Sequence, residues 1–294
     1  MNVKNRSAII MLRAETHIHS GIGQAAGALD LPVARERVTH YPVLPGTGVK
    51  GAFRVWASEQ ASLDDSKANK LFGNPTGSNN LDEGGAEGAG ELLLSDGRLL
   101  FLPVRCTSEA FKWVTCPAIL NRFRRDCKRA GITDAFKVPF DALSSISVKD
   151  NKYLGKDQSS IGLEERDFEH EKGFDASTEA FFAALGTYVD LENLVERLVI
   201  LSDNDFTWFA RYALPIMARN KLDNNKKSEN LWYEEALAPD TIMYLLFAER
   251  KSGSLAVMLP AIEESLYIQI GGNETVGQGW FQMFACPRAD NKGD

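Results

Sequence analysis

The chain has 294 residues, enough for one large domain or two ordinary ones, and its 44% hydrophobic and 25% charged content is that of a soluble globular protein with an ample core. No apolar run reaches the length of a membrane span, Met1–Arg13 lacks a secretory apolar segment, and four cysteines without a C-x-x-C pair predict reduced cytoplasmic thiols, with neither a disulfide framework nor a zinc site. A net charge of −7 argues against a general nucleic-acid binder, so phosphate recognition would have to come from local clusters of base.

In chain order, Ser7–Ala14 is apolar and predicts a strand that runs into the polar loop Glu15–Gly21. Gly21–Pro32, rich in glycine and alanine, predicts a long exposed loop. Gly46–Ala57 puts Val49, Phe53, Trp56 and Ala57 at helical spacing, and a short helix follows near Asp64–Phe72. Residues 77–90 predict a disordered loop. Glu91–Ser95 and Arg98–Leu102 flank Asp96-Gly97, a dipeptide suited to a type I′ turn, and so predict a hairpin. Phe111–Cys116 predicts a strand, and Pro117–Ala130 a helix with Pro near its start and Gly131 just past its end.

Residues 146–190 are polar and yield no assignable element. Beyond them, Leu198–Leu201 predicts a strand, Ser202–Asp205 the capped start of a helix, Thr241–Glu249 a strand and Ser254–Leu266 a helix. Tyr267–Ile270 alternates as a strand and enters a loop holding Gly271, Gly272, Gly277 and Gly279 before Trp280-Phe281 restart a strand. The order strand–helix–hairpin early and strand–helix–strand late predicts an α+β fold. Its core would be ferredoxin-like, one sheet covered by two helices, with long insertions in a single elaborated domain.

Several clusters carry possible chemistry. Four close glycines are costly unless the backbone turns sharply or another backbone comes near, and successive amides in such a turn suit an anion; the alternative is a glycine-rich hairpin with no ligand. Gly46–Gly51 spells G-x-G-x-x-G but lacks the acid about 20 residues on that a dinucleotide site requires. A glycine turn opening a helix still offers free amides around Gly48, with Lys50 and Arg54 one turn apart; otherwise it is a tight turn with solvated cations. His17 and His19 form H-x-H, half of a metal site for a small-molecule hydrolase, an RNA contact, or loop filler. Asp30 is a carboxylate with no evident capping task, or an Asx turn before Pro32. Arg122, Arg125 and Arg129 share one helical stripe whose forks suit phosphate, unless it is only a solvated face.

Together these segments resemble the RAMP superfamily of CRISPR systems, in particular the backbone subunits of the type III-B effector, the Cmr complex. The likeness rests on THIHSG at 16–21, GALDLPVARERVTHYPVLPGTGVKGAFR at 27–54, LFGNP at 71–75, LLFLPVR at 99–105, LNRFRRD at 120–126, YEEALAPDT at 233–241 and the glycine loop. It implies a right-hand-shaped subunit with a modified ferredoxin-like (RRM-like) palm. Copies would stack along a guide RNA with other Cmr subunits, and a thumb hairpin, by position about residues 212–239, would interrupt guide–target pairing at regular intervals. At each interruption single-stranded target RNA would be cut, with a divalent metal, Mg²⁺ or Mn²⁺, required. The matching motifs place the catalytic and metal-binding aspartate on Asp30, a nearby histidine on His17 and a contributing acid on Glu234 or Glu235. Guide recognition independent of sequence would use Gly48, Lys50, Arg54, Arg122, Arg125 and the glycine loop. A non-catalytic guide-binding scaffold and a metal-independent guide-processing RNase using His17 or His19 stand as alternatives.

Overall fold

Strand β1 (Ser7–Ala14) pairs antiparallel with β12 (Ile242–Glu249) on one side and β14 (Trp280–Cys286) on the other. The computed structural model describes residues 7–21, 23, 29–61, 63–74, 89–132 and 140–286; residues 77–88 of the loop expected at 77–90, and residues 22 and 24–28 of the earlier one, lie outside them. Two further strands, β3 (Leu92–Leu94) and β4 (Gly97–Arg105), pair antiparallel with β12, giving the order β14-β1-β12-β4. Helix α1 (Gly46–Glu59) leads from β1 towards β3 and β4, and α7 (Ser254–Glu264) from β12 towards β14. This is the ferredoxin-like strand order the sequence predicts.

β12 is almost wholly buried, which is why it reads as the continuous apolar run IMYLLFAE and does not alternate. Phe53 of α1 meets Phe247 edge-on with ring centroids 5.0 Å apart, and Phe123 of α3 (Pro117–Ala130) meets Tyr244 at 4.9 Å. Residues three apart on a strand point to opposite faces, so helices cover the sheet on both sides. The expected two-helix cover on one sheet is therefore exceeded, because α3 comes from an insertion.

The Asp96-Gly97 hairpin does not form. β3 and β4 run in the same direction along β12, with Leu94 opposite Phe247 and Arg98 opposite Tyr244, so they are two pieces of one interrupted strand. At the interruption the Asp96 carboxylate accepts from the Gly46 amide at 2.7 Å, and Ser95 Oγ accepts from the Leu246 amide at 2.9 Å. A Cβ on Gly97 would lie 2.9 Å from Leu44, so this glycine serves close packing and not a turn.

Residues 106–241 are inserted between the second and third core strands and extend the sheet through β5 (Phe111–Thr115), β9 (Leu198–Leu201), β6 (Lys152–Leu154), β8 (Arg166–Lys172) and β7 (Ile161–Leu163). The stretch that gave no sequence assignment thus holds three short strands and α4 (Ala176–Tyr188), capped where Asp175 accepts from the Thr178 amide. The buried Lys112 of β5 ties this stretch to the rest of the insertion. Its ammonium contacts Glu109 at 2.5 Å and Asp157 at 2.6 Å.

One element leaves the sheet. β10 (Ile216–Leu222) and β11 (Ser228–Glu235) pair with each other as a two-stranded sheet apart from the large one, closed by a turn in which Asp223 accepts from the Asn225 and Lys227 amides. Ile216, Leu222 and Leu231 are 61%, 51% and 54% exposed on it. A lone two-stranded hairpin is marginally stable, so its root must be held by other parts of the chain.

Candidate active site at the root of the hairpin

β11 is exposed until its last residues, where Glu234 and Glu235 are only 4% and 5% exposed. Neighbours on a strand point to opposite sides, and each carboxylate has its own set of donors. Glu234 accepts from Arg219 Nε of β10 at 3.0 Å, from the Trp232 indole at 2.9 Å and from Asn273 Nδ2 of the glycine loop at 2.8 Å. Glu235 accepts from the Val33 amide at 3.0 Å and from Arg35 Nη2 at 2.5 Å. Both glutamates therefore hold the hairpin root, and neither presents an unengaged carboxylate to a substrate.

Burial pushes the Glu234 carboxyl up, but the donors on Trp232, Arg219 and Asn273, with the Arg219 charge, outweigh it and hold the group below its ordinary range. A carboxyl depressed in the folded state contributes stability above its unfolded value of about 4.3, and that contribution is lost as pH falls through the lower folded value. Urea unfolding between pH 3 and 6 should accordingly show a weaker acid-side loss of stability in Glu234→Gln than in the unaltered chain.

Asp30 lies beside the same strand. Its Oδ2 accepts from the Tyr233 amide at 2.9 Å, Leu31 N donates to Tyr233 O at 3.1 Å, and Glu235 N donates to Leu31 O at 3.0 Å. The segment bearing Asp30 is thus a short extra strand against β11, with Leu31 opposite Glu234. Asp30 is exposed, and its Oδ1 carries no hydrogen bond within the described residues. Of the carboxylates at this root, it is the one open to solvent.

The H-x-H segment joins from the other side. Ile18 and Leu237 exchange backbone hydrogen bonds at 3.0 and 2.9 Å, and His19 Nδ1 donates to the Glu235 carbonyl at 2.7 Å. His19 is buried, so its ring supports the backbone; His17 is half-buried. The structure brings His17, Asp30, Glu234, Glu235 and the glycine loop to one end of the sheet.

The glycine loop is a hairpin between β13 (Tyr267–Gln269) and β14 whose amides are largely used internally. Gly272 N donates to His19 O at 2.9 Å, Gly279 N to His17 O at 2.9 Å and Gly277 N to Glu274 O at 2.8 Å. These three amides are therefore engaged within the chain, and the phosphate cradle expected of them is not assembled. Gly271 has φ 106°, and a Cβ there would sit 2.6 Å from the His19 carbonyl oxygen, so close backbone approach explains it.

The remaining cation candidates divide. Asp96 already places a carboxylate at the α1 N-terminus, and Arg54 donates to Gly73 O at 2.8 Å and to Asn69 Oδ1 of α2 (Asp65–Phe72), which makes it a clasp between helices. Gly48 is exposed with open space around it, and Lys50 has no ion pair within the described residues. Arg122 forms a bidentate pair with Glu36, whereas Arg125 on the same helix is exposed. Arg219 and Asn273 escaped sequence reasoning, since their partners are set by the fold.

The profile of the RAMP superfamily matches residues 11–282. The chain belongs to the RAMP superfamily. Along 98% of its length this RAMP chain is 30% identical to the CRISPR system Cmr endoribonuclease Cmr4 of Pyrococcus furiosus, covering 98% of that protein. It is 34% identical to the CRISPR-system endoribonuclease Csm3 of Streptococcus thermophilus over 74 residues, 21% of this chain and 34% of that one. Its structure superposes on the oligomeric Cmr4 crystal structure from P. furiosus with a TM-score of 0.71 at 25% identity, over 96% of this chain and 98% of that one. A subunit of the type III-B Cmr-beta apo assembly shares the RAMP fold with a TM-score of 0.76 at 21% identity, over 97% and 98% of the two chains. The expected ferredoxin-like architecture with insertions is the architecture found.

Proposed function

We propose that this chain is a filament-forming backbone subunit of a type III-B CRISPR ribonucleoprotein, which binds guide RNA and cleaves complementary target RNA at regular intervals in the cytoplasm. The carrying observation is the placement of the solvent-facing Asp30 carboxylate against the root strand of the exposed hairpin, within 2.9 Å of the Tyr233 amide. Full-length likeness to a protein named as an endoribonuclease supports the chemistry, and likeness to an oligomeric relative supports stacking of copies with other Cmr subunits. No helix among the described residues is long and apolar enough to cross a membrane.

In this reading the hairpin acts as the thumb, and its exposed Leu222 and Leu231 wedge between bases of the guide–target duplex. A nucleotide turned out of the stack can bring its 2′-oxygen in line with the adjacent phosphorus. The 2′-oxygen bonds to phosphorus as its proton passes to Asp30, and the bond to the 5′-oxygen of the next residue breaks, that oxygen taking a proton from water to leave as a hydroxyl. The hairpin contributes by alignment and the carboxylate as proton acceptor.

A divalent cation, Mg²⁺ or Mn²⁺, belongs to the proposal. Among the described residues no group of three or more His, Cys, Asp or Glu side chains is arranged to hold one. The one free oxygen of Asp30 would meet a hard cation through a bound water, with the ion held mainly by RNA phosphates and water, which leaves that oxygen as the proton acceptor. Such an ion would neutralise charge developing on the phosphate.

Guide binding falls to Lys50, Arg125 and the amides near Gly48, while Arg54 and Arg122 support the fold. Lys50→Ala and Arg125→Ala should weaken guide binding equally for all spacer sequences and each lower the salt slope by about one. Filter binding across several spacers and salt concentrations measures both; a loss that depended on spacer would refute backbone-only recognition. The test of the whole reading is purification with RNA followed by challenge with complementary target. Short RNAs of uniform 5′ sequence and a ladder of evenly spaced products are expected; absence of bound RNA would sink it.

A further inference from the structure

The side of β11 that bears Glu235 is bonded to the segment bearing Asp30 at five points: Tyr233 N to Asp30 Oδ2, Leu31 N to Tyr233 O, Glu235 N to Leu31 O, Val33 N to Glu235 Oε2 and Arg35 Nη2 to Glu235 Oε1. Arg35 reaches further. Its Nη1 donates to Ala210 O near the end of α6 (Asp203–Tyr212), the helix from which the hairpin departs, and to His40 O at 2.9 Å. Where the hairpin returns, Ala236 N donates to Pro215 O at 3.0 Å. One guanidinium and one carboxylate thus link the hairpin's departure, its return and the strand that presents Asp30.

We infer that Glu235 and Arg35 are positioning residues that lock the Asp30 carboxylate to the hairpin as one rigid body, so that the point where the hairpin parts the RNA strands selects the linkage that is cut. The inference rests on Asp30 acting at the scissile linkage. Both Glu235 oxygens are engaged and buried, so its effect on the reaction passes through Asp30. Without the clamp, Asp30 would keep its bond to Tyr233 N but lose the support on its C-terminal side. A displacement of about 1 Å in a reacting group can cost about 10²-fold in rate.

The test uses the effector reconstituted with guide and end-labelled target, read for both cleavage rate and cut position. Glu235→Ala should slow cleavage by about 10²-fold and spread the cuts onto adjacent linkages, with an unchanged pH–rate profile. Glu235→Gln keeps the shape and one of the two acceptor oxygens, for Val33 or for Arg35, and should hold the single cut position at a rate between those of Glu235→Ala and the unaltered protein. If Glu235→Ala fails to assemble, Arg35→Lys, which keeps the charge but loses the fork, should show the same spread. The double variant Asp30→Ala/Glu235→Ala should be no slower than Asp30→Ala alone, because residues acting as a unit are non-additive.

Equal inactivity of the Gln and Ala variants with a shifted pH profile would make Glu235 a proton-transfer group and overturn the inference. So would unaltered rate and cut position in Glu235→Ala and Arg35→Lys when Asp30→Ala is inactive. Normal cleavage by Asp30→Ala would instead overturn the active-site assignment itself.

Discussion

Replacing Asp30 with Ala should lower target cleavage by about 10² to 10⁴-fold, the usual worth of a positioned proton acceptor, while guide binding and assembly stay intact. The separation follows from location. Asp30 is exposed, and among the described residues its side chain has one hydrogen bond, accepted from the Tyr233 amide, so the fold loses little when it is truncated. Single-turnover cleavage of labelled target by the reconstituted complex measures the first quantity, and RNA recovered with the complex the second. Asp30→Asn sharpens the result, because its amide oxygen can still accept from Tyr233 and hold the segment in place. If Asn is as inactive as Ala, the charge or basicity of the carboxylate matters; if Asn is active, Asp30 contributes geometry alone. Undiminished cleavage by both variants in assembled complexes would overturn the assignment of Asp30 to the active site.

The core was legible where local pattern and tertiary environment agree. Val49, Phe53, Trp56 and Ala57 lie at helical spacing and are the buried face of α1, and Pro117 and Gly131 bracket α3 with Gly131 left-handed at φ 71°. Asp96-Gly97 misled because turn propensity is local, whereas pairing partners are not. β12 offers one long edge that both flanking pieces occupy in the same direction, and Asp96 turns to the start of α1. Within 146–190, β6 and β7 were illegible because they span three residues each, too few for a period to show, and β8 because Phe168 is its one buried residue.

At the site, the candidate acids were reached by resemblance, but their division of labour was not. Glu234 and Glu235 are equivalent letters in sequence; the fold supplies one with Arg219, Trp232 and Asn273 and the other with Val33 and Arg35, the last 200 positions away along the chain. The glycine cluster shows the same limit. Sequence flags that the backbone is unusual there, and only the structure shows that the close neighbour is the chain's own H-x-H segment and that the Gly272 and Gly279 amides are already bonded to it.

That distinction gives the largest expected effect on stability, at Gly271. Its φ of 106° is one that an L side chain rarely adopts, and a Cβ would come within 2.6 Å of the His19 carbonyl oxygen. Because the obstacle is backbone, no side chain can swing aside to relieve it. Gly271→Ala should cost roughly 3 kcal/mol, the upper end of the range for a strained backbone position, which is a large share of a stability of about 5–15 kcal/mol. Gly277 is the internal control. Its φ of 78° and ψ of 18° are ordinary left-handed values and nothing lies within 4 Å of its added Cβ, so Ala there should cost only about 1 kcal/mol. Urea denaturation of the two variants tests the contrast, and equal costs would show that the loop relaxes away from His19. The two variants should also part in function. His19 reaches Glu235 through its Nδ1 and the glycine loop through its carbonyl, so moving that carbonyl disturbs the clamp behind Asp30. Gly271→Ala should therefore slow target cleavage in complexes that still assemble, while Gly277→Ala should leave the rate unchanged. A phosphate cradle in this loop would give the opposite order, with the open and exposed Gly277 the more sensitive position for RNA binding.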